Sequence, residues 1–105
     1  MVIATQLKAL NNPIRLKILE WLKKPTDHFP PHTSGLSFDD GVCVAYIQEK
    51  ACISQSTTSQ YMSILHQAGF VIPTRIGKWT YYRRDEETIT QFMHHLNTIM
   101  IHTGE

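Results

Sequence analysis

The sequence predicts one mainly α-helical domain with a β-hairpin near its end, on three observations. Apolar residues recur at three- and four-residue spacing in about five segments of the 105-residue chain. Two of those segments, 42–51 and 55–68, are separated by only three residues. Behind them stand two runs rich in β-branched and aromatic side chains, 70–75 and 79–84, joined around Gly77. The length supports one hydrophobic core, so residues 1–105 are read as a single domain.

The first segment, 2–10, carries Val2, Ile3, Leu7 and Leu10 at the spacing of a short amphipathic helix. Asn12 is a good N-cap and Pro13 a good first helical residue, because the N–H that proline lacks has no helical partner at that position. A second helix follows to about Lys24, with Ile14, Ile18, Trp21 and Leu22 on one face, Leu16 and Leu19 widening it, and Arg15, Lys17, Glu20 and Lys23 on the remainder. Pro25 ends it. Residues 25–41 hold three prolines, two glycines and three aspartates without any period, and are read as a loop insertion pinned to the body by Phe29, Leu36 and Phe38.

Val42 to Ala51 reads as a helix with Tyr46, Ile47 and Ala51 facing inward and Asp39 or Asp40 capping its start. After the break at Cys52-Ile53-Ser54, Ser54 caps a further helix from Gln55 to about Ala68, ended by Gly69. Its inward stripe is Thr58, Met62, Leu65 and Ala68, with Tyr61 and Ile64 beside it. Gln55, Ser56, Ser59, Gln60 and Ser63 face outward. Two helices on a three-residue turn, the second polar at its exposed N-terminal end, match a helix-turn-helix. Such an end enters the major groove, where Gln bonds adenine in two places and Ser or Thr reaches bases or phosphates. The candidate DNA contacts on it are Ser54, Gln55, Ser56, Thr57, Ser59, Gln60 and Tyr61.

In the hairpin Ile76-Gly77-Lys78 connects the strands, and Pro73 assigns the first strand to an edge. The net charge is only +1, but Arg75, Lys78, Arg83 and Arg84 bring four of the ten basic residues together here. A basic hairpin beside a recognition helix reads as a wing on the phosphate backbone, which adds Arg75, Lys78 and Arg83 to the candidate contacts. The domain is thus a winged helix-turn-helix.

The last helix, 85–102, starts with Asp85, Glu86 and Glu87, where a helix N-terminus favours negative charge. Ile89, Phe92, Met93, Leu96, Ile99 and Met100 form a long apolar stripe. With Val2, Ile3 and Leu7 it is read as the surface of a homodimer, residues 86–102 being the dimerisation helix.

The segments Leu7-Lys8-Ala9-Leu10-Asn11-Asn12-Pro13-Ile14-Arg15, Ser54-Gln55-Ser56-Thr57-Thr58-Ser59-Gln60-Tyr61, Ala68-Gly69-Phe70-Val71 and Arg75-Ile76-Gly77-Lys78-Trp79-Thr80-Tyr81-Tyr82 occur in the order and spacing of the ArsR/SmtB family, which the chain resembles over most of its length outside the loop. The resemblance implies a homodimer built on the first and last helices that releases operator DNA when a metal or another signal arrives. The departures are informative. Gln60-Tyr61 stands where the family commonly has Arg-His, so the recognition helix is uncharged from Ser54 to Leu65. Cys52 replaces the usual turn glycine and is expected at positive φ. Cys43-Val44-Ala45-Tyr46 keeps one thiol of the paired-cysteine metal motif. His102-Thr103-Gly104-Glu105 imitates half of the last-helix site, but Ile89 and Gln91 stand where the other half would lie. His94 and His95 are offset from that pattern. Neither ligand set is complete, so no metal and no cofactor are expected. His28, His32, Asp27, Asp39 and Asp40 are read as solvated loop residues.

The N-terminus lacks the basic start and cleavage site of a signal peptide, and no apolar run approaches the ~20 residues that span a bilayer. The expected compartment is the cytoplasm, with no membrane partner and with Cys43 and Cys52 as free thiols. No histidine neighbours Cys43 in sequence and no oxyanion motif is visible, so the chain is not read as an enzyme. The reading is a sequence-specific regulator of double-stranded DNA, a repressor released by a signal. The alternatives are a winged-helix protein-interaction module, and a redox sensor using Cys43, at a helix start, with Cys52; for Cys43 the competing assignment is a small buried side chain.

Overall fold

The structure, a computed structural model, describes residues 2–102. Its elements are α1 (Ile3–Leu10), α2 (Pro13–Lys23), β1 (Val42–Cys43), α3 (Val44–Ala51), α4 (Gln55–Gln67), β2 (Val71–Ile76), β3 (Trp79–Arg84) and α5 (Glu86–Met100), with 3-10 turns at Pro25–Asp27 and Phe38–Asp40 in the loop. The five helices and the hairpin are those the sequence predicts, and α5 ends at Met100 rather than at His102. No described helix is long and apolar enough to cross a membrane.

The α1–α2 corner forms as the capping residues dictate. Asn12 is extended and its Oδ1 accepts from the N–H groups of Ile14 and Arg15 at 2.9 and 3.0 Å. Arg15 departs from its expected place on the polar face, because it is buried. Its Nε donates to the carbonyl of Ala9 at 2.7 Å and its Nη2 to that of Lys8 at 3.1 Å, both in the last turn of α1, where carbonyls have no helical partner. Leu16, expected to widen the apolar face of α2, is exposed. The core behind this corner is built from Ile18, Leu22, Ile47, Met62, Leu65, Ala68, Phe70 and Val71, with Thr58 buried among them. The Thr58 hydroxyl is satisfied by donating to the Ser54 carbonyl at 2.8 Å.

The 25–41 loop is docked. Phe29 is buried and Phe38 packs on the core, as expected, whereas Leu36 is 38% exposed and is not part of the core. The third anchor is His32, read from the sequence as a solvated loop residue and in fact buried. Its Nε2 accepts from the N–H of Cys43 at 3.1 Å and its Nδ1 donates to the carbonyl of Leu36 at 3.1 Å, the one acceptor and one donor that a neutral imidazole has. Phe38, Tyr46 and Tyr81 surround the ring edge-on at 4.8–5.2 Å.

A third strand was not expected. Val42 and Cys43 pair antiparallel with Tyr82 and Tyr81, so α3 begins at Val44 and the sheet order is β1-β3-β2. Neither Asp39 nor Asp40 caps α3; both lie in the turn that the Ser37 hydroxyl caps. Gly41 leads into β1 at φ 111°, and a Cβ there would collide with the backbone carbonyl of Tyr82. Pro73 does lie on an edge strand. Ile76 pairs with Trp79, so Gly77-Lys78 is the whole turn and Ile76 belongs to the strand.

Helix α5 is capped by Asp85, whose Oδ1 accepts from the Thr88 N–H at 3.1 Å. Its apolar stripe divides between two roles. Phe92 is buried in the protomer's own core against Phe70, with ring centroids 5.2 Å apart, and Ile89 and Leu96 pack partly on that core, as does Ile3 of α1. These four were all expected to face a second copy. Met93, Ile99 and Met100 remain 55%, 56% and 69% exposed, and Val2 and Leu7 of α1 are exposed as well.

Two stability outcomes follow from the loop. Gly41→Ala should cost at least about 1–3 kcal/mol from backbone strain alone, read as a lower urea midpoint with unchanged slope. His32→Phe preserves ring packing but leaves the buried Cys43 N–H without a partner. It should cost about 1–3 kcal/mol and accelerate hydrogen exchange at that amide, while the amide of Met62 exchanges as before relative to global unfolding.

Candidate nucleic-acid interface

The helix-turn-helix is α3, the turn and α4. Cys52 terminates α3 in the left-handed conformation expected of it, at φ 55° and ψ 44°. Ser54 then starts α4 as its cap, Oγ accepting from the Thr57 N–H at 3.1 Å. The same hydroxyl lies 2.9 Å from Thr57 Oγ1 and 3.2 Å from Ser56 Oγ. Ser54 and Thr57, both candidate contacts, are thus occupied in fixing the helix start. Gln55, Ser56, Ser59 and Gln60 are exposed, and among the described residues neither glutamine side chain is engaged in a hydrogen bond. At the other end Gly69, with φ 83°, closes α4: its N–H bonds to the carbonyl of His66 and that of Phe70 to Leu65. The chain passes from there straight into β2.

Tyr61 is half-buried and turned to the α1–α2 corner. Its hydroxyl accepts from Asn12 Nδ2 at 3.3 Å, and its ring faces the Arg15 guanidinium at 5.1 Å. That geometry makes it a positioning residue for α4, and no acceptor among the described residues takes its phenolic O–H. Gln6 adds a second tie, donating from Nε2 to the carbonyl of Ala68 at 3.3 Å. The sequence reading missed Asn12, Arg15 and Gln6 as parts of the site, since nothing in their spacing reveals what they reach across the fold.

The basic cluster is smaller than its sequence count. Arg84 is held in a two-bond pair with Glu86, at 2.8 and 3.0 Å, and donates from Nη1 to the Leu19 carbonyl at 3.1 Å. It is a strut between β3, α5 and α2. Arg75, Lys78 and Arg83 are exposed and pair with no carboxylate among the described residues; Arg75 Nε donates to the Gly77 carbonyl at 3.0 Å. The register places Arg75 across from Thr80 and Arg83 across from Ile72, so these arginines stand on opposite faces of the hairpin, with Lys78 in the turn. Beside that turn Trp79 is half exposed, an apolar ring at the wing tip.

The two thiols do not form a pair. Cys43 is buried and Cys52 exposed. They cap opposite ends of α3, which separates their Cα atoms by about 13 Å at ~1.5 Å rise per residue. A disulfide spans at most about 7 Å, so a bridge within one chain is incompatible with a folded α3. Among the described residues no three His, Cys, Asp or Glu side chains converge as a metal site. The half-pattern at the C-terminus, Thr103 to Glu105, lies outside the described residues.

No protein-family profile matches the chain. A Bacillus subtilis protein described as the uncharacterized HTH-type transcriptional regulator YbzH is 51% identical to it over 92 residues, covering 87% of this chain and 91% of its own. A putative arsenical resistance operon repressor, ArsR2, of Halobacterium salinarum is 44% identical over 50 residues, 48% of this chain and 42% of its own. A crystal structure of a possible transcriptional regulator for arsenical resistance superposes with a TM-score of 0.67 at 26% identity, over 92% of this chain and 85% of its own. With the helix-turn-helix and hairpin already in place, these likenesses assign the chain to the ArsR/SmtB family of winged helix-turn-helix, DNA-binding transcriptional regulators.

Proposed function

We propose that this regulator is a repressor that binds a specific double-stranded operator as a homodimer and leaves it in response to a signal. The observation that carries the reading is the division of labour between α4 and the hairpin that follows it. The exposed start of α4 offers uncharged hydrogen-bonding side chains, and the adjoining hairpin offers three unpaired cations. Gln55 and Gln60 suit base edges; Arg75, Lys78 and Arg83 suit phosphates on either side of an inserted hairpin. Tyr61 adds a phosphate contact through its O–H. The repressor role draws on the relative described as an operon repressor.

The dimer reading rests on the exposed apolar band of Met93, Ile99 and Met100 on α5 beside Val2 and Leu7 of α1. A lone protomer leaves that band in water, and dimeric helix-turn-helix proteins in general set their two recognition helices about 34–36 Å apart, one turn of duplex. The same reading places the protein in the cytoplasm, where its DNA is.

Selection of bound duplexes from a random pool tests the operator, which should emerge as an inverted repeat. Replacing Arg75, Lys78 or Arg83 with Ala should weaken binding to all sequences, each lowering the slope of log K against log salt by about 0.9. Gln55→Ala or Gln60→Ala should instead relax base preference, by about 1–3 kcal/mol at the positions read. Unchanged affinity and preference in all five variants would refute the interface. For the dimer, Met93→Glu and Ile99→Glu should shift sedimentation from dimer to monomer and weaken operator binding without changing helix content by circular dichroism. A wild-type chain that sediments as a monomer at micromolar concentration would refute it.

A further inference from the structure

The DNA-binding surface does not use the cleft between the loop and α3. It is an open cleft of about 480 Å³, within the roughly 300–1,000 Å³ typical of small-molecule sites. His28, Phe29 and Pro30 line it from the loop, and Tyr46, Glu49 and Lys50 from α3. Its walls are rings already held in place. Phe29 is buried and meets Trp21 edge-on at 6.4 Å. Tyr46 is tied to the loop through its hydroxyl, which accepts from the Thr33 N–H at 3.1 Å and donates to the Pro31 carbonyl at 3.4 Å. The slot is therefore preformed rather than assembled on binding.

At its edge the Lys50 ammonium sits 5.2 Å from the ring centroid of Trp21 and 6.0 Å from that of Phe29. No carboxylate lies within ion-pair distance of it among the described residues. The rings fix where this exposed cation sits, and no protein acceptor among the described residues bonds its N–H donors. The carboxylate of Glu49, the opposite charge on the rim, makes no hydrogen bond or ion pair among the described residues. A ring-walled slot beside an oriented, unpaired ammonium is complementary to an apolar ring bearing a negative charge.

We propose that this cleft binds a small aromatic carboxylate, its ring between Phe29, Pro30 and Tyr46 and its carboxylate on Lys50. Tyr46 and Lys50 belong to α3, which leads through the Cys52 turn into α4. A ligand here couples the loop to the recognition helix and is the signal that loosens DNA. This regulatory half rests on the DNA-binding reading above; the binding half stands without it.

The test titrates the full chain with benzoate and indole-3-acetate, and with indole-3-ethanol and tryptamine as neutral and cationic counterparts, followed by amide shifts in ¹H–¹⁵N spectra. The carboxylates should shift Phe29, Tyr46 and Lys50 saturably, and the neutral alcohol should bind about tenfold more weakly or worse. Lys50→Met keeps the stem over Trp21 and should lower carboxylate affinity about tenfold at an unchanged unfolding midpoint, while Lys50→Arg retains it. Tighter binding of tryptamine than of indole-3-acetate, or no saturable shift by either carboxylate at millimolar concentration, would overturn the proposal. In a second arm the bound carboxylate should weaken wild-type affinity for the selected duplex and leave Lys50→Met unaffected. Carboxylate binding without that effect overturns the regulatory half alone. A chain that binds no duplex removes the DNA reading, and the spectra still decide the site.

Discussion

The recognition helix owes its position to the closure of the carboxyl end of α1. The Arg15 guanidinium donates to the carbonyls of Lys8 and Ala9 and presents its face to Tyr61 of α4, while Asn12 caps α2 and holds the Tyr61 hydroxyl. One buried cation thus joins three helices. Its burial is tolerable because its donors face carbonyl oxygens and its π-face an aromatic ring, so little of its hydration is lost without replacement. A lysine there would supply one point charge where a planar fork is needed. The uncharged outer face of α4 is aimed at solvent because its inner face is locked to this corner.

The loop depends on a similar economy. His32 contributes one donor and one acceptor to backbone groups on both sides of the crossing, and three aromatic rings enclose it. Gly41 lets the chain pass directly over Tyr82 to begin β1. The two together convert a segment without periodicity into a fixed wall, and that wall makes the cleft against α3. The pin lies at the N-terminal start of α3 and the cleft further along it, so the first helix of the DNA-binding unit is held by the loop over much of its length.

Charge is distributed by structure more than by composition. Of the four basic residues clustered in the hairpin, Arg84 is consumed by Glu86 and the Leu19 carbonyl, and the remaining arginines alternate between faces. In the proposed interface phosphate affinity falls on the wing, and base discrimination on neutral side chains of α4. Separating the two functions keeps a nearly neutral chain compatible with a polyanionic partner.

The sequence by itself determined what depends on neighbours within one or two turns of chain. Helical spacing named the inward residues Thr58, Met62, Leu65 and Ala68; Asn12, Ser54 and Asp85 marked helix starts; Gly77 and the β-branched runs marked the hairpin; Pro73 marked an edge. The family resemblance was legible in the same local segments. What only the tertiary structure decided is every contact that closes over a long separation. Strand β1 is two residues long and has no period to detect. It exists because β3 offers an open edge. His32 and Arg15 looked solvated because their polarity is intrinsic, whereas their partners are backbone groups brought up by the fold. The split of the α5 stripe, with Phe92 facing the core and Met93 facing out, turns on which side of the helix Phe70 occupies. Local propensity is written in adjacent residues; the partner of a buried polar or apolar group is written only in three dimensions.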